Sequence, residues 1–334
     1  MNILVSGGLG FIGSHTCVAL LNAGYSVIAV DNLANSSCDA ADSIQKITGK
    51  SLSFYNIDVT DECAVDRLFG NNKIDCVIHF AGLKSVSEST REPLLYYRNN
   101  IGGTLVLASA CLKHGVNKFV FSSSATVYGD RESPFVETME VRHAANPYGE
   151  TKIISEKILT DTAKANPSFS VSLLRYFNPV GAHESGMIGE NPNGTPQNLM
   201  PLIVRTAANR QKTLKIFGCD YDTPDGTCIR DYVHVMDLAE GHVAALNGIK
   251  RGTEIYNLGT GRGTSVMELV RTFERVNGIK VPYEMAERRA GDIAAYYADV
   301  SKAERELKWK AQRGTENMCR DSWLFAKKFG APVM

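Results

Sequence analysis

Short apolar runs alternate with amphipathic segments through the first half of the chain, and this alternation restricts its fold more than any other feature. The runs have the length of buried strands, and segments such as 12–23, 94–113 and 148–164 have helical character. Parallel strands need a crossover connection, which a right-handed helical crossover supplies. The sequence therefore predicts an α/β fold with a doubly wound parallel sheet. The strand-like runs are MNILVSG, YSVIAVDN, LSFYNID, CVIHFAG, KFVFSSS and VSLLRYFN.

The alternation stops near residue 178, where the stretch PVGAHESGMIGENPNGTPQN begins. A stretch of this length, rich in Gly, Pro and Asn, is typical of a functional loop region. We therefore expect a larger domain over 1–178 and a smaller α/β region over 179–334. Within the smaller region the pattern predicts helices near 199–210, 265–277 and 315–328, and short strands near 213–217 and 254–257.

The charge balance favours small-molecule partners. Lys plus Arg and Asp plus Glu both number 36, so no global positive field is available to hold a nucleic acid or an acidic membrane. The N-terminus lacks the pattern of a secretory signal, and no apolar stretch approaches the ~20 residues of a membrane span. We therefore expect a cytoplasmic protein with no nucleic-acid or membrane partner.

The cysteines suggest neither a metal site nor a redox pair. Eight are scattered along the chain without a CxxC motif or Cys/His clustering. We expect reduced thiols and no bound metal.

A glycine-rich turn follows the first predicted strand directly and opens a helix. Gly7 permits the tight turn, Gly10 lets the backbone approach a pyrophosphate, and Gly13 lets the helix pack close to the strand. The N-terminus of the helix then faces the anion. This context predicts a Rossmann-type dinucleotide site.

Acidic residues at the next strand ends indicate which dinucleotide binds. Asp31 ends the second strand, where a carboxylate accepts hydrogen bonds from the adenosine ribose and repels a 2'-phosphate. This favours NAD over NADP. Asp58 falls at the following strand end, near the expected adenine, and Lys84 follows the fourth strand, within reach of a ribose or phosphate.

Tyr148 and Lys152 form a candidate proton-transfer pair. They stand four residues apart at the start of a predicted helix and therefore share one face. A nearby ammonium and a positive nicotinamide would both favour the phenolate, which suits a proton acceptor beside a hydride acceptor. Ser124, at the end of the fifth strand, is placed to hydrogen-bond the substrate hydroxyl that loses its proton.

In this order these features resemble the extended short-chain dehydrogenase/reductase family, and within it the UDP-glucose/UDP-galactose 4-epimerases. The resemblance extends over essentially the whole chain. Its motifs are the glycine turn, Asp31, HFAGLK, SSSATVYG, the Y-x-x-x-K pair, RYFNPVGAH, NLMPLI, FGCDYDTPDGTCIRDYVHV, YNLGTGRGTSV and RRAGDIAAYYAD.

The resemblance implies three sets of site residues and no metal. The catalytic set is Tyr148, Lys152 and Ser124. The NAD set is Gly7, Gly10, Phe11, Ile12, Gly13, Asp31, Asn32, Asp58, Val59, Phe80, Ala81, Lys84, Asn99, Ser122, Tyr148, Lys152 and Tyr176. The UDP-sugar set is Lys84, Ser124, Tyr148, Phe177, Asn178, Asn198, Leu199, Phe217, Arg230, Arg289, Asp292 and Tyr296. Phe11 stands where relatives often have Tyr, a small departure because the expected contact is through the backbone.

The resemblance also implies a reaction and an assembly. Domain 1–178 would bind NAD and carry the catalytic residues, and region 179–334 would bind the UDP-sugar. C4 of the sugar would be inverted through a transient 4-keto sugar, with NAD staying bound. A homodimer is expected, with apolar helical faces at 94–113 and 148–164.

The sequence leaves several alternative activities open. A nucleotide-sugar 4,6-dehydratase would share the Tyr/Lys pair, but its relatives carry an Asp-Glu pair where Ala125 and Thr126 follow Ser124 here. A net nucleotide-sugar dehydrogenase or reductase would release NADH. A catalytically silent NAD-binding regulator would fail to interconvert any UDP-hexose. A UDP-N-acetylhexosamine epimerase is disfavoured because bulky Tyr296 matches a position that is small in N-acetyl-tolerant relatives.

Overall fold

The structure, a computed structural model, describes residues 1–141, 143–192, 196–289 and 292–329. Within these residues, seven parallel strands form the central sheet in the order β11-β6-β5-β4-β1-β2-β3. The strands are β1 Asn2–Ser6, β2 Ser26–Asp31, β3 Ser53–Asn56, β4 Cys76–His79, β5 Lys118–Ser124, β6 Ser170–Tyr176, β7 Asn178–Val180, β8 Leu214–Phe217, β9 Ile229–Arg230, β10 Tyr232–His234, β11 Gly252–Leu258, β12 Thr264–Ser265, β13 Tyr283–Ala286 and β14 Ala295–Tyr296.

Helices cover both faces of this sheet. They are α1 Phe11–Asn22, α2 Asp39–Thr48, α3 Glu62–Asn71, α4 Val86–Arg91, α5 Pro93–Tyr96, α6 Gly102–Lys113, α7 Pro147–Ala165, α8 Leu199–Ala207, α9 Val235–Asn247, α10 Val266–Asn277, α11 Ser301–Glu306 and α12 Thr315–Phe329. A π-helical turn, Tyr97–Ile101, joins α5 to α6, and a 3₁₀ turn, Ala125–Tyr128, follows β5. The predicted helix over 94–113 is therefore a composite of three pieces.

The alternation of side chains along β1 divides the core between the two faces of the sheet. Ile3 and Val5 enter one apolar cluster and Leu4 enters the other, and all three are fully buried. Successive strand side chains point to opposite faces, so a strand covered on both sides is apolar throughout. The predicted doubly wound α/β fold is confirmed.

Strand β11 was expected in the smaller C-terminal region, and that assignment is wrong. The strand pairs with β6 in parallel, from Gly252 beside Ser170 to Leu258 beside Tyr176, and completes the central sheet. The preceding helix α9, which the sequence pattern did not reveal, packs against α1. The C-terminal half of the chain therefore contributes to the larger sheet.

The remaining C-terminal elements form a smaller layer with its own core. Short sheets, β10-β7, β12-β9-β14 and β13-β8, lie among helices α8, α10 and α12. Phe273 and Trp323 meet edge to face at 5.9 Å in this core. Such an arrangement positions loops over one edge of the central sheet.

We expect Gly13→Ala to destabilise the fold. A Cβ at residue 13 would lie 2.0 Å from the carbonyl oxygen of Gly7, so α1 would have to move away from the turn. Overpacking of this kind costs about 1–3 kcal/mol of unfolding free energy. Chemical denaturation measures the loss.

Gly70→Ala is the matched control, because Gly70 lies in α3 and the nearest atom to its added Cβ, on His114, is 4.0 Å away. Alanine is the better helix former there, so stability should hold or rise. Equal effects of the two substitutions would contradict the role assigned to Gly13.

Candidate functional site

The predicted cofactor and catalytic residues gather at one edge of the central sheet. Parallel strands present their carboxyl ends together, and ligands of such sheets bind outside those ends. Segments that follow β1, β2, β3, β4, β5 and β6 carry the glycine turn, Asn32, Asp58, Phe80 with Ala81, the 3₁₀ turn, and Phe177 with Asn178. The topology thus brings distant parts of the sequence to one crevice.

The glycine turn forms a cradle that side chains would fill. Gly7 has a φ of 68°, and a Cβ there would lie 2.8 Å from the backbone nitrogen of Ala81. A Cβ on Gly10 would lie 3.3 Å from the Gly7 carbonyl oxygen. The first turn of α1, beginning at Phe11 and Ile12, carries no acidic residue. Bare backbone and a helix N-terminus together fit a pyrophosphate.

Asp31 ties this turn to the end of β2. Its carboxylate accepts hydrogen bonds from the backbone nitrogens of Leu9 at 3.1 Å and Leu33 at 2.9 Å, and from Ser36 Oγ at 2.7 Å. A carboxylate offers about four acceptor positions, so these contacts leave capacity for a ribose hydroxyl. Asp31 therefore has a structural task besides the predicted one.

Asp58 lies beside Asn32, as their positions at neighbouring strand ends predict. Asn32 Nδ2 donates to Asp58 Oδ2 at 3.0 Å, and Thr60 donates twice to Asp58 Oδ1. Burial would raise the pKa of Asp58, but the hydrogen bonds from Thr60 and Asn32 outweigh it and lower the pKa. Asp58 is followed by Val59, which is buried against the core.

Lys84 and Asn198 share a partner that sequence reasoning missed. Glu190 Oε1 accepts from Lys84 Nζ at 3.0 Å and from Asn198 Nδ2 at 2.8 Å. A residue predicted to reach the cofactor is thus joined to one predicted to hold UDP. Glu190 lies in the irregular loop region, where no periodic signal marks it.

Asn99 lies in the π-helical turn, next to a buried asparagine that sequence reasoning also missed. Asn99 donates to Asn100 Oδ1 at 3.0 Å, while Asn100 Nδ2 donates to the Leu83 carbonyl and to Thr151 Oγ1, both at 3.0 Å. Turns of this type occur frequently at functional sites. Here the turn connects the loop after β4 to helix α7.

Tyr148 and Lys152 occupy the first turns of α7. Asn146 caps the helix by accepting from the Gly149 nitrogen at 2.9 Å, and Pro147 occupies the first helical position. Both residue types favour a helix start. Lys152 Nζ donates to the Ser122 carbonyl at 2.7 Å and lies 5.9 Å from the centroid of the Tyr148 ring.

The pKa values of this pair differ from the sequence-based expectation. Burial raises the pKa of the Tyr148 phenol, although a hydrogen bond with Ser124 opposes the rise. Burial lowers the pKa of Lys152 to about 8, although the charge of Glu156 opposes the fall. The expected lowering of the Tyr148 pKa is therefore not met by the protein alone, because desolvation outweighs the hydrogen bond with Ser124.

Serines at the end of β5 complete this part of the crevice. Ser124 Oγ accepts from the backbone nitrogen of Thr126 at 3.3 Å and from its hydroxyl at 3.0 Å. The Ser122 hydroxyl makes a short hydrogen bond with the hydroxyl of Tyr176. The ring of Phe80, after β4, lies 4.6 Å from the ring of His242, which is buried on α9.

A second cluster joins four residues predicted to contact UDP. Asp292 accepts from Arg230 Nη2 at 3.3 Å and from Arg289 Nε at 3.0 Å, so one carboxylate holds both guanidinium groups. Arg289 lies 4.8 Å above the centroid of the Phe217 ring. Arg289 retains 57% of its side-chain exposure, which leaves donors free for an anionic ligand.

Tyr296 bridges the two clusters. It pairs with Arg230 in the β9 and β14 register, and its hydroxyl donates a short hydrogen bond to the carbonyl of Ala125, next to Ser124. Its ring lies 5.6 Å from that of Phe177. Asn178, next to Phe177 in the chain, is exposed. Asn198 directly precedes helix α8, and Leu199 is the first residue of that helix.

Metal and membrane features are absent from the described ranges. No three His, Cys, Asp or Glu side chains there converge on a possible metal position. No helix among those residues has the length and apolarity to cross a membrane. The eight cysteines, all of which are described, form no disulfide.

Similarity to known proteins agrees with this geometry. A UDP-glucose 4-epimerase of Bacillus subtilis (strain 168) is 56% identical over 326 residues, which are 97% of this chain and 96% of the relative. The crystal structure of UDP-glucose 4-epimerase from Bifidobacterium longum, in complex with NAD⁺ and UDP, has a TM-score of 0.95 and 51% identity, covering 98% of this chain and 99% of that one. A second, from Stenotrophomonas maltophila with NAD and formylated UDP-arabinopyranose, has a TM-score of 0.96 and 47% identity, covering 98% of each chain.

The family model for NAD dependent epimerases and dehydratases matches residues 3–259. That range includes the cradle, the Tyr148/Lys152 pair and Arg230 of the second cluster. The chain belongs to the NAD dependent epimerase/dehydratase family.

Proposed function

We propose that this chain is a UDP-glucose 4-epimerase, which interconverts UDP-glucose and UDP-galactose with a tightly bound NAD. The observation that carries the proposal is the bridge formed by Tyr296. It joins the Ser124, Tyr148 and Lys152 group to the paired guanidinium groups of Arg230 and Arg289. The proposed proton-transfer and diphosphate sites are therefore adjacent in the structure.

The cradle suits NAD: Gly7 to Gly13 would hold the pyrophosphate, and Asp31 would accept hydrogen bonds from the adenosine ribose. Held there, NAD would supply a reversible hydride acceptor for C4 of the sugar. Asp31 favours this cofactor over NADP because a 2'-phosphate would meet its negative charge. Lys152, whose ammonium donates to the Ser122 carbonyl, contributes a positive charge held in place by that hydrogen bond.

Tyr148 acts as the proton acceptor for the 4'-hydroxyl, and Ser124 aligns that hydroxyl by hydrogen bonding. Because burial raises the pKa of the phenol, its conversion to phenolate requires positive charge nearby. Lys152 supplies one such charge, and the positive nicotinamide would supply another. In the second half of the reaction the same phenol returns its proton, so no external acid is required.

Aromatic side chains form part of the wall proposed for the sugar, which suits an intermediate that must rotate to present its other face. Phe177 is buried, and the rings of Phe135 and Tyr296 lie 4.5 Å apart behind it. Such walls offer few directional hydrogen bonds, whereas the UDP end carries guanidinium and amide donors. A 4-keto sugar held by its nucleotide can therefore present either face, and C4 is inverted.

Several finer features complete the proposal. Ala125 and Thr126 after Ser124 lack the carboxylic acid that a dehydratase needs for elimination. Galactose and nucleotide-sugar metabolism would place the enzyme in the cytoplasm, where its substrates and reduced thiols occur.

The second copy of a homodimer would cover the exposed leucines of α5 and α6.

Tyr148→Phe tests the proton-transfer role. The wild type should interconvert UDP-galactose and UDP-glucose without added NAD, whereas the variant should lose roughly 10²-fold in turnover, the usual scale for a general base. NAD content and UDP affinity should stay nearly unchanged, because the ring remains. A coupled UDP-glucose assay and calorimetric UDP titration measure both. Full activity of the variant would contradict the assignment, and absence of epimerisation in the wild type would contradict the function.

Tyr296→Cys tests substrate selection. Removing the ring opens space beside Phe177 and Phe135, so UDP-N-acetylgalactosamine should become a substrate while UDP-galactose is still turned over. Chromatography of UDP-sugar products over time measures both reactions. Comparable wild-type rates on N-acetylated and plain sugars would refute the selectivity proposed for Tyr296.

Leu94→Glu/Leu105→Glu tests the homodimer. These leucines are 68% and 47% exposed on the α5 and α6 surface, and a partner copy would bury them. Two carboxylates in an apolar interface should convert a dimer to a monomer in light scattering. Tyr283→Glu, at an exposed residue on β13, is the control that should remain dimeric. A wild type that is monomeric at micromolar concentration would exclude the proposed assembly.

A further inference from the structure

A buried ion pair lies one helical turn beyond Lys152, and the proposed reaction does not use it. Arg175 donates to Glu156 through Nε at 2.9 Å and through Nη2 at 2.6 Å, in a two-pronged contact. Glu156 is 6% exposed and Arg175 is 2% exposed. Buried ion pairs contribute little net stability relative to an apolar replacement. Stability alone is therefore a poor explanation for this pair.

The pair connects the elements that carry the catalytic residues. Tyr148, Lys152 and Glu156 follow one another at intervals of four residues on α7. They therefore share one helical face. Ser123, between Ser122 and Ser124 on β5, donates to Glu156 Oε1 at 2.5 Å. Arg175 belongs to β6. One carboxylate thus fixes the register of α7 against two neighbouring strands.

We propose that Glu156 is a positioning residue that holds the Lys152 ammonium in place and keeps it protonated during turnover. The inference rests on the proposed function, since it concerns the same proton transfer. Glu156 acts through the helix and through its charge, because its carboxylate is occupied by Arg175 and Ser123 rather than aimed into the crevice.

Among the described residues, Glu156 is the anion that favours the charged form of Lys152. Burial lowers the pKa of His79, on β4, to about 3, so its imidazole is neutral. Burial raises the pKa of Tyr176, on β6, so its phenol is also neutral. Tyr148 bears a negative charge only transiently, and Arg175 is positive. A carboxylate near a buried ammonium favours the charged form, which agrees with the opposing effect of Glu156 on the Lys152 pKa.

The test is the pH dependence of turnover in Glu156→Gln. Loss of the carboxylate lowers the pKa of Lys152, so the alkaline limb of kcat should move to lower pH by roughly 1 unit. At pH values above the alkaline limbs of both the wild type and the variant, this shift reduces the turnover of the variant roughly tenfold relative to the wild type. The KM for UDP-galactose should change little, because the Arg230 cluster is untouched. An unshifted limb in a folded variant overturns the proposal.

Glu156→Gln leaves Arg175 buried without its partner and could impair folding. The variant Glu156→Gln/Arg175→Met removes both charges and keeps the volumes similar. Its alkaline limb should move to lower pH by less than that of Glu156→Gln, because loss of the Arg175 cation partly offsets loss of the carboxylate. An unshifted limb in this double variant likewise overturns the proposal.

Asp237→Asn is the matched control. Asp237 on α9 is fully buried and paired with Arg313, so its loss should reduce stability comparably. The control should keep the wild-type pH profile, and an equal shift there would show that destabilisation alone moves the limb. A wild type that fails to epimerise UDP-galactose would instead contradict the proposed function, so the two failures are distinguishable.

Discussion

The parallel alignment of the central sheet is the constraint on which the rest of the structure depends. Because all seven strands of the described sheet run the same way, every strand contributes its terminal residues to one edge. Four parts of the site meet at this edge because the strands that carry them are parallel neighbours in the sheet. They are the glycine cradle, the Asp31 carboxylate, the serines of β5 and the residues after β6. The smaller C-terminal layer then has only to cover that edge with loops bearing cations and amides.

Burial is the second determinant of the chemistry, and it opposes charge at both members of the proton-transfer pair. The phenol of Tyr148 and the ammonium of Lys152 are each desolvated, so each is shifted toward its neutral form. Proton transfer at this pair therefore depends on positive charge near the phenol. A phenol whose pKa is raised by burial would become a base beside the positive nicotinamide of a bound NAD.

The sequence predicted those parts of the site whose signals are local. The glycine spacing, the acidic strand end and the four-residue separation of Tyr148 and Lys152 each follow from chain geometry over less than ~20 residues. Glu190 could not be predicted, because its contacts with Lys84 and Asn198 are made from an irregular loop. The strand over 252–258 was recognised but misplaced, because strand pairing depends on contacts about 80 residues apart.

The position of β11 has a consequence for how the chain acquires its structure during synthesis. Strand β6 is almost wholly buried, yet the strand that covers its open side begins about 75 residues later, at Gly252. Until β11 emerges from the ribosome, the nascent sheet presents an apolar edge with unpaired backbone groups. Such edges recruit other strands. The interval between the two strands is therefore the period in which a chaperone would protect this protein most effectively, and the final sheet forms only when both halves of the chain are available.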